Sequence, residues 1–169
     1  MTSEHLLHTI PPIYDGNSKI LILGSFPSVK SREVSFYYGH PQNRFWRVLA
    51  AVLGCAVPSS NEEKTALLHS HNIALWDVIK SCDIVGSSDS SIKNVVPNDI
   101  GAILSSCGIR QIYSNGKTSE KLFNKYIKDT VGRDTVALPS TSPANASYNL
   151  ERLTDRFAVI KNNRLEKKK

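Results

Sequence analysis

The chain has 169 residues, 40% of them hydrophobic and 21% charged, with 9 Gly and 8 Pro, which fits one compact domain and excludes low-complexity and collagen-like chains. A single core at this length buries enough surface to hold a fold without disulfides or a structural metal. No run of about 18 apolar residues occurs, and residues 1–13 lack a basic head followed by an apolar stretch, so no membrane span or secretory leader is expected and the predicted location is cytoplasmic.

Residues 18–24 (SKILILG) form a short continuous apolar run ending in glycine, the pattern of a strand buried on both faces. Residues 43–53 carry apolar side chains at 45, 49, 52 and 53, a helical spacing, with Gly54 suited to the C-terminal cap. Ser60 and Glu63 make a capping box that opens a second helix, ending near Asn72. Residues 73–79 (IALWDVI) read as the next strand, and 82–97 as a polar, serine-rich loop. Asn98 is placed to cap a helix running through Cys107 and closed by Gly108. A third strand is predicted over 109–114, a turn at Asn115 and Gly116, and a helix over 117–128. A fourth strand over 134–138 and a helix over 148–158 complete the pattern. Four apolar strands joined by helices imply an α/β fold, a three-layer α/β/α domain around a four-stranded parallel sheet. The expected organisation is one domain over 1–160 and a basic tail over 161–169.

Net charge is +6, but the last nine residues supply +4 of it, so overall charge says little about a polyanionic partner. Cys55, Cys82 and Cys107 stand 27 and 25 positions apart, unlike a zinc site or redox pair, and His69 and His71 point apart on a helix. No metal and no cofactor is expected. The GxSxG elbow is absent, and a P-loop ending at Gly116-Lys117-Thr118 would need glycine where Gln111 stands.

Ligands of open parallel sheets bind beyond the carboxyl ends of the strands. The segments there are GSFPS (24–28), Trp76-Asp77, Ser114-Asn115-Gly116-Lys117 and PSTSPANAS (139–147), a lining of hydroxyl, amide and backbone groups. Ser142, with Ser140, Thr141, Gly116 and Lys117, suits phosphate binding, because unpaired N–H groups at loop-to-helix junctions point at anions. Residues 36–46 hold five of the thirteen aromatic side chains. Rings beside amide groups can stack on a planar base while its edge is hydrogen-bonded. Phe45 and Trp46 read as core, Phe36 and Tyr37 as candidates for stacking, and His40 equally as a residue of the helix entry or as an imidazole at the edge of the base.

Gly24-Ser25-Phe26-Pro27-Ser28, the stretch from Gly39 to Trp46 (GHPQNRFW) and the stretch from Leu138 to Asn145 (LPSTSPAN) together resemble the uracil-DNA glycosylase superfamily. Within it the likeness is to the hypoxanthine (deoxyinosine) branch and the mismatch-specific branch, over about residues 18–160. The resemblance implies a monofunctional glycosylase that flips a deaminated base, hypoxanthine above all, out of double-stranded DNA and hydrolyses its bond to the sugar, acting as a monomer. Mismatch-specific uracil excision, a lesion-binding module without catalysis and a free-nucleotide binder are the alternatives. The first loop lacks the usual catalytic group: Phe26 stands where related branches carry Asn, and no acid occurs over 24–31. The resemblance to the hypoxanthine branch passes that task to Asn43. A neutral amide can orient water or donate a hydrogen bond to a departing base, but it is no strong base. By position, Gly24, Ser25 and Phe26 would meet the base, with Asp77 at the pocket rim. Ser28 and Pro143 would lie along the DNA, Ser142 would hold a phosphate, and Ala144 and Asn145 would enter the gap left by the flipped nucleotide.

Overall fold

The computed structural model describes residues 2–164. Its parallel sheet comprises β2 (Ile20–Gly24), β3 (Ile73–Asp77), β6 (Gln111–Asn115) and β7 (Thr135–Leu138), in the order β3-β2-β6-β7 with every pair parallel. The central β2 is buried at all five positions, as its unbroken apolar run requires. Its side chains alternate between two cores. Ile20 and Ile22 pack with α2 (Phe45–Leu53), α3 (Asn61–Ser70) and α7 (Leu150–Phe157) through Phe45, Leu49, Leu68, Leu153 and Phe157. Leu21 and Leu23 pack on the other face with α4 (Ile100–Ser106) and α5 (Lys117–Tyr126) through Ile100, Ile103 and Phe123. These are the three expected layers.

Local signals account for several boundaries. The capping box of α3 is complete: Ser60 Oγ accepts from the Glu63 N–H, and Glu63 Oε2 accepts from the Ser60 N–H, each at 3.0 Å. Gly54 closes α2 at φ 70°, the left-handed cap that glycine favours. Short helices α6 (Lys128–Val131) and α8 (Ile160–Arg164) extend the α5 and α7 regions. Of the expected basic tail, 161–164 belong to α8, and 165–169 lie outside the described residues. No helix of the described residues is long and apolar enough to cross a membrane.

Three readings of the sequence need correction. The polar stretch 82–97 is not a loop. It holds the second half of β4 (Ile79–Ile84), a 3-10 turn (Asp89–Ser91) and β5 (Lys93–Pro97), and the two strands join β1 (Glu4–Leu7) in an antiparallel sheet ordered β1-β4-β5. The strand predicted over 73–79 is divided between β3 and β4. Register shifts between Ile79, Ser81 and Asp83 break the alternation that would have marked β4. Asn98 is not a cap either, since Asp99 accepts from the Ala102 N–H and serves α4. The Asn98 amide is buried and donates to the carbonyls of Asp77 and Ile79 at 2.9 and 3.1 Å, pinning the switch from one sheet to the other. A further short helix, α1 (Val29–Val34), is opened by the side chain of Ser28, which accepts from the Ser31 N–H.

Candidate functional site

The carboxyl ends of β2, β3 and β6 open into a cavity of about 340 Å³, within the range of small-molecule sites. Gly24, Ser25, Phe26, Ser28, Asn43, Asp77, Ser140, Ser142 and Ala144 all line it, as do Tyr37 and Ser87. Thr141, a phosphate candidate, lines it as well, and among the lining residues given no role from the sequence are Tyr38, Asp89 and Asn115. Asn115 and Thr141 sat in segments marked as crevice lining, but Asp89 arrives from the antiparallel sheet, which a polar pattern had concealed.

The position of Asn43 follows from the residues around it. It stands two residues ahead of α2, and its Oδ1 accepts the Phe45 N–H at 3.0 Å. A backbone N–H can only donate, so this bond fixes which end of the amide is oxygen. The same logic runs through its neighbours. The Thr141 N–H donates to Asn115 Oδ1 at 3.1 Å, so Asn115 Nδ2 donates to Thr141 Oγ1 at 3.0 Å. The Thr141 hydroxyl then donates to Asn43 Oδ1 at 2.9 Å. With Oδ1 engaged twice, Asn43 has Nδ2 left to donate, and no bond between it and another described residue is made. The ends of two strands, β6 and β7, and the start of α2 thus orient one carboxamide.

Arg44 explains why an arginine follows. Its guanidinium donates to the carbonyls of Thr141, Ser142, Asn145 and Tyr148, and its own N–H donates to Thr141. One side chain therefore holds the loop after β7 against the start of α2. Phe45 and Trp46 are core, and the Trp46 indole N–H donates to the Tyr37 carbonyl at 3.1 Å. His40 Nδ1 accepts the Gln42 N–H at 3.0 Å, a turn contact at the helix entry.

The aromatic residues divide differently from the expectation. Phe36 lies outside the cavity, packed near Trp46 and under the Lys64 ammonium. Tyr37 is 2% exposed, with its hydroxyl donating to the Ile10 and Pro11 carbonyls, so its ring forms the back wall. Phe26 and Tyr38 are the rings more open to the cavity. Tyr38 stacks on Phe45 with centroids 4.1 Å apart, and its backbone sits in the left-handed region at φ 52°. Its hydroxyl is buried and donates to no described residue, while the Asn115 side chain comes near enough to ease its ionisation. Burial, and next the Asp77 carboxylate, push its ionisation well above the ordinary tyrosine value.

Asp77 is 4% exposed, and its Oδ2 is held at 2.8 Å by Nε2 of His8, a residue the sequence did not bring forward. Gly24 makes room for this carboxylate: a Cβ there would stand 2.4 Å from Asp77 Oδ1. Asp89 is exposed as a residue, but protein atoms crowd its carboxyl and raise it above the usual carboxylate range, against hydrogen bonds from Thr118 and Ser25.

A second cavity of about 520 Å³ adjoins the first, sharing Asp89, Ser140, Ser142 and Ala144. Lys117, Asn145, Tyr148 and Arg156 line it. Gly116 is buried between the two loops, its N–H bonded to the Ser114 and Leu138 carbonyls and therefore not free for an anion. At φ 102° and with a Cβ position 3.0 Å from Ser140 Cβ, only glycine fits there. Pro143 is exposed and lines neither cavity.

A parallel α/β/α protein with a cavity at the carboxyl rim and an oriented carboxamide inside it is thereby defined. A family model described as the Uracil DNA glycosylase superfamily matches residues 11–166, and the chain belongs to that superfamily. A hypoxanthine DNA glycosylase of Methanosarcina acetivorans is 35% identical over 153 residues, covering 89% of this chain and 96% of the relative. One of Methanosarcina barkeri is 36% identical over 137 residues, covering 80% and 85%. A solution NMR structure of a protein from Methanosarcina acetivorans superposes with a TM-score of 0.78 at 34% identity, covering 90% of this chain and 95% of that one.

Proposed function

We propose that this DNA glycosylase removes hypoxanthine from DNA, with the Asn43 carboxamide as its catalytic group. The observation that supports the reading is that Asn43 lines the cavity with its Oδ1 occupied by Phe45 and Thr141, so that Nδ2 is the end left to donate. Two curated relatives named for hypoxanthine excision, matched over most of the chain, support the substrate.

Cleavage develops positive charge on the sugar and negative charge on the departing base. A preoriented N–H donor stabilises the second of these without rearranging as the bond breaks. Hypoxanthine, whose ring carbonyl spreads that charge, needs no stronger acid than an amide. Gly24, Ser25, Phe26, Tyr37 and Asp77 form the base pocket in this reading. Extrusion costs a few kcal/mol and costs least at mispaired bases, which adds selectivity. Ser142, at the boundary of the two cavities, and Lys117, in the second, are suited to flanking phosphates, with Ser28, Ser140, Ala144 and Asn145 along the same path. Arg156 joins them.

The test is release of hypoxanthine from a deoxyinosine duplex, read as alkali-labile sites in the presence of EDTA. Wild-type protein cuts, and Asn43→Ala loses about 10²–10³ of the single-turnover rate. Folded wild-type protein that leaves hypoxanthine in place overturns the reading.

A further inference from the structure

The reading above places Asp77 in the base pocket but gives its buried ionisable partner, His8, no part. The His8 side chain is 2% exposed and that of Asp77 6%, with Nε2 and Oδ2 2.8 Å apart. His8 is held on every side. Its backbone N–H donates to the Lys80 carbonyl at 2.7 Å, continuing the β1–β4 pairing, and its ring meets Phe26 edge-on at 6.1 Å and Tyr37 at 6.1 Å. Asp77 is equally constrained, by Asn98 on its carbonyl and by pairing opposite Gly24. A carboxylate fastened at Oδ2 has one orientation left for Oδ1, to which no described residue donates.

That oxygen has a complement beside it. Asp77 Oδ1 and the Tyr38 hydroxyl converge on the space over Gly24, 2.4 and 3.1 Å from where a Cβ would stand. One is an obligate acceptor. The other is a buried hydroxyl that burial keeps protonated and that donates to no described residue, the nearby Asn115 side chain acting on it from the donor side. A donor and an acceptor side by side match a ring carbonyl next to a ring N–H. Hypoxanthine presents that edge, whereas adenine presents the reverse, an amine next to a bare nitrogen.

We propose that His8 is a positioning residue for base selection: it clamps Asp77 so that Oδ1 accepts the ring N–H of the flipped base while the Tyr38 hydroxyl donates to the adjacent carbonyl. The inference rests on the hypoxanthine reading and adds to it the edge of the base that is read. A base without the N–H leaves Asp77 Oδ1 buried against a lone pair or a methyl group, a penalty that a hydrogen-bonding site imposes more sharply than an apolar one.

Single-turnover excision is compared on duplexes carrying hypoxanthine or 1-methylhypoxanthine, which keeps the carbonyl and lacks the N–H. Wild-type protein prefers hypoxanthine by about 100-fold or more. In His8→Leu the preference falls below about tenfold, whereas His8→Gln, which retains an N–H donor, keeps it. Asp77→Ser leaves His8 in place and shows the same collapse, and it decides the matter if His8→Leu does not fold. A preference unchanged in folded His8→Leu or Asp77→Ser, or equal loss on both substrates, overturns the role of His8. Wild-type protein inactive on hypoxanthine removes the enzymatic reading and this inference with it, a distinct outcome.

Discussion

Asn43 owes its orientation to a chain of bonds that begins outside its own element. Asn115 sets Thr141, and Thr141 sets Asn43, each through an oxygen or nitrogen whose role a backbone N–H has already determined. Thr141→Val keeps the shape and deletes the link, so excision is expected to fall about tenfold or more, with Thr141→Ser restoring it. A melting temperature close to wild type in both separates this from unfolding. Gly24 supplies a second test at the same scale. Gly24→Ala drives a methyl group to 2.4 Å from Asp77 Oδ1, so the carboxylate must move, and excision of hypoxanthine is expected to drop with about 1–3 kcal/mol lost from stability. Denaturant unfolding and single-turnover rates measured together check both halves.

Among the elements, α3 makes a prediction about acid. The Glu63 carboxylate is held down to about 2, first by the Ser59 hydroxyl and then by the N–H groups of Ser59 and Ser60. A carboxyl depressed in the folded state contributes stability that is complete above its ordinary value of 4.5 and is lost as pH falls toward about 2. Glu63→Ala should therefore melt below wild type at neutral pH, and the gap should close across that window. A gap that persists at the acid end would mean the box acts through packing. The antiparallel sheet is the other instructive element. It rests on a small core of Ile79, Cys82 and Ile84, and it delivers His8 and Asp89 to the site. Its strands are short, and β4 and β5 pair through register shifts, so neither alternation nor apolar runs mark them.

At the scale of the whole molecule the question is how duplex DNA is held. Lys117 and Arg156 line the second cavity, and the Arg152 guanidinium lies 4.4 Å from the Tyr148 ring centroid at the same loop. Neutralising each phosphate steepens the salt dependence of affinity by about 0.9 in log–log slope. Lys117→Gln with Arg156→Gln should make the slope shallower by about two on undamaged duplex, with the excision rate at saturation little changed. A chain ending at Arg164 tests separately what the basic residues beyond it add to that slope. Unchanged slopes for the double variant would put the DNA elsewhere.

The sequence alone determined the three layers and the rim where the cavity opens, because unbroken apolar runs, capping residues and strand-end glycines act locally and are written within a few positions of one another. It also marked Asn43 and the serine-proline loops through a specific motif. The tertiary structure alone decided that Phe36 belongs outside the cavity and Tyr38 inside it, that Arg44 binds the last loop, and that His8 reaches Asp77 across 69 positions. Such pairings leave no periodic trace, since they depend on where distant strands come to rest.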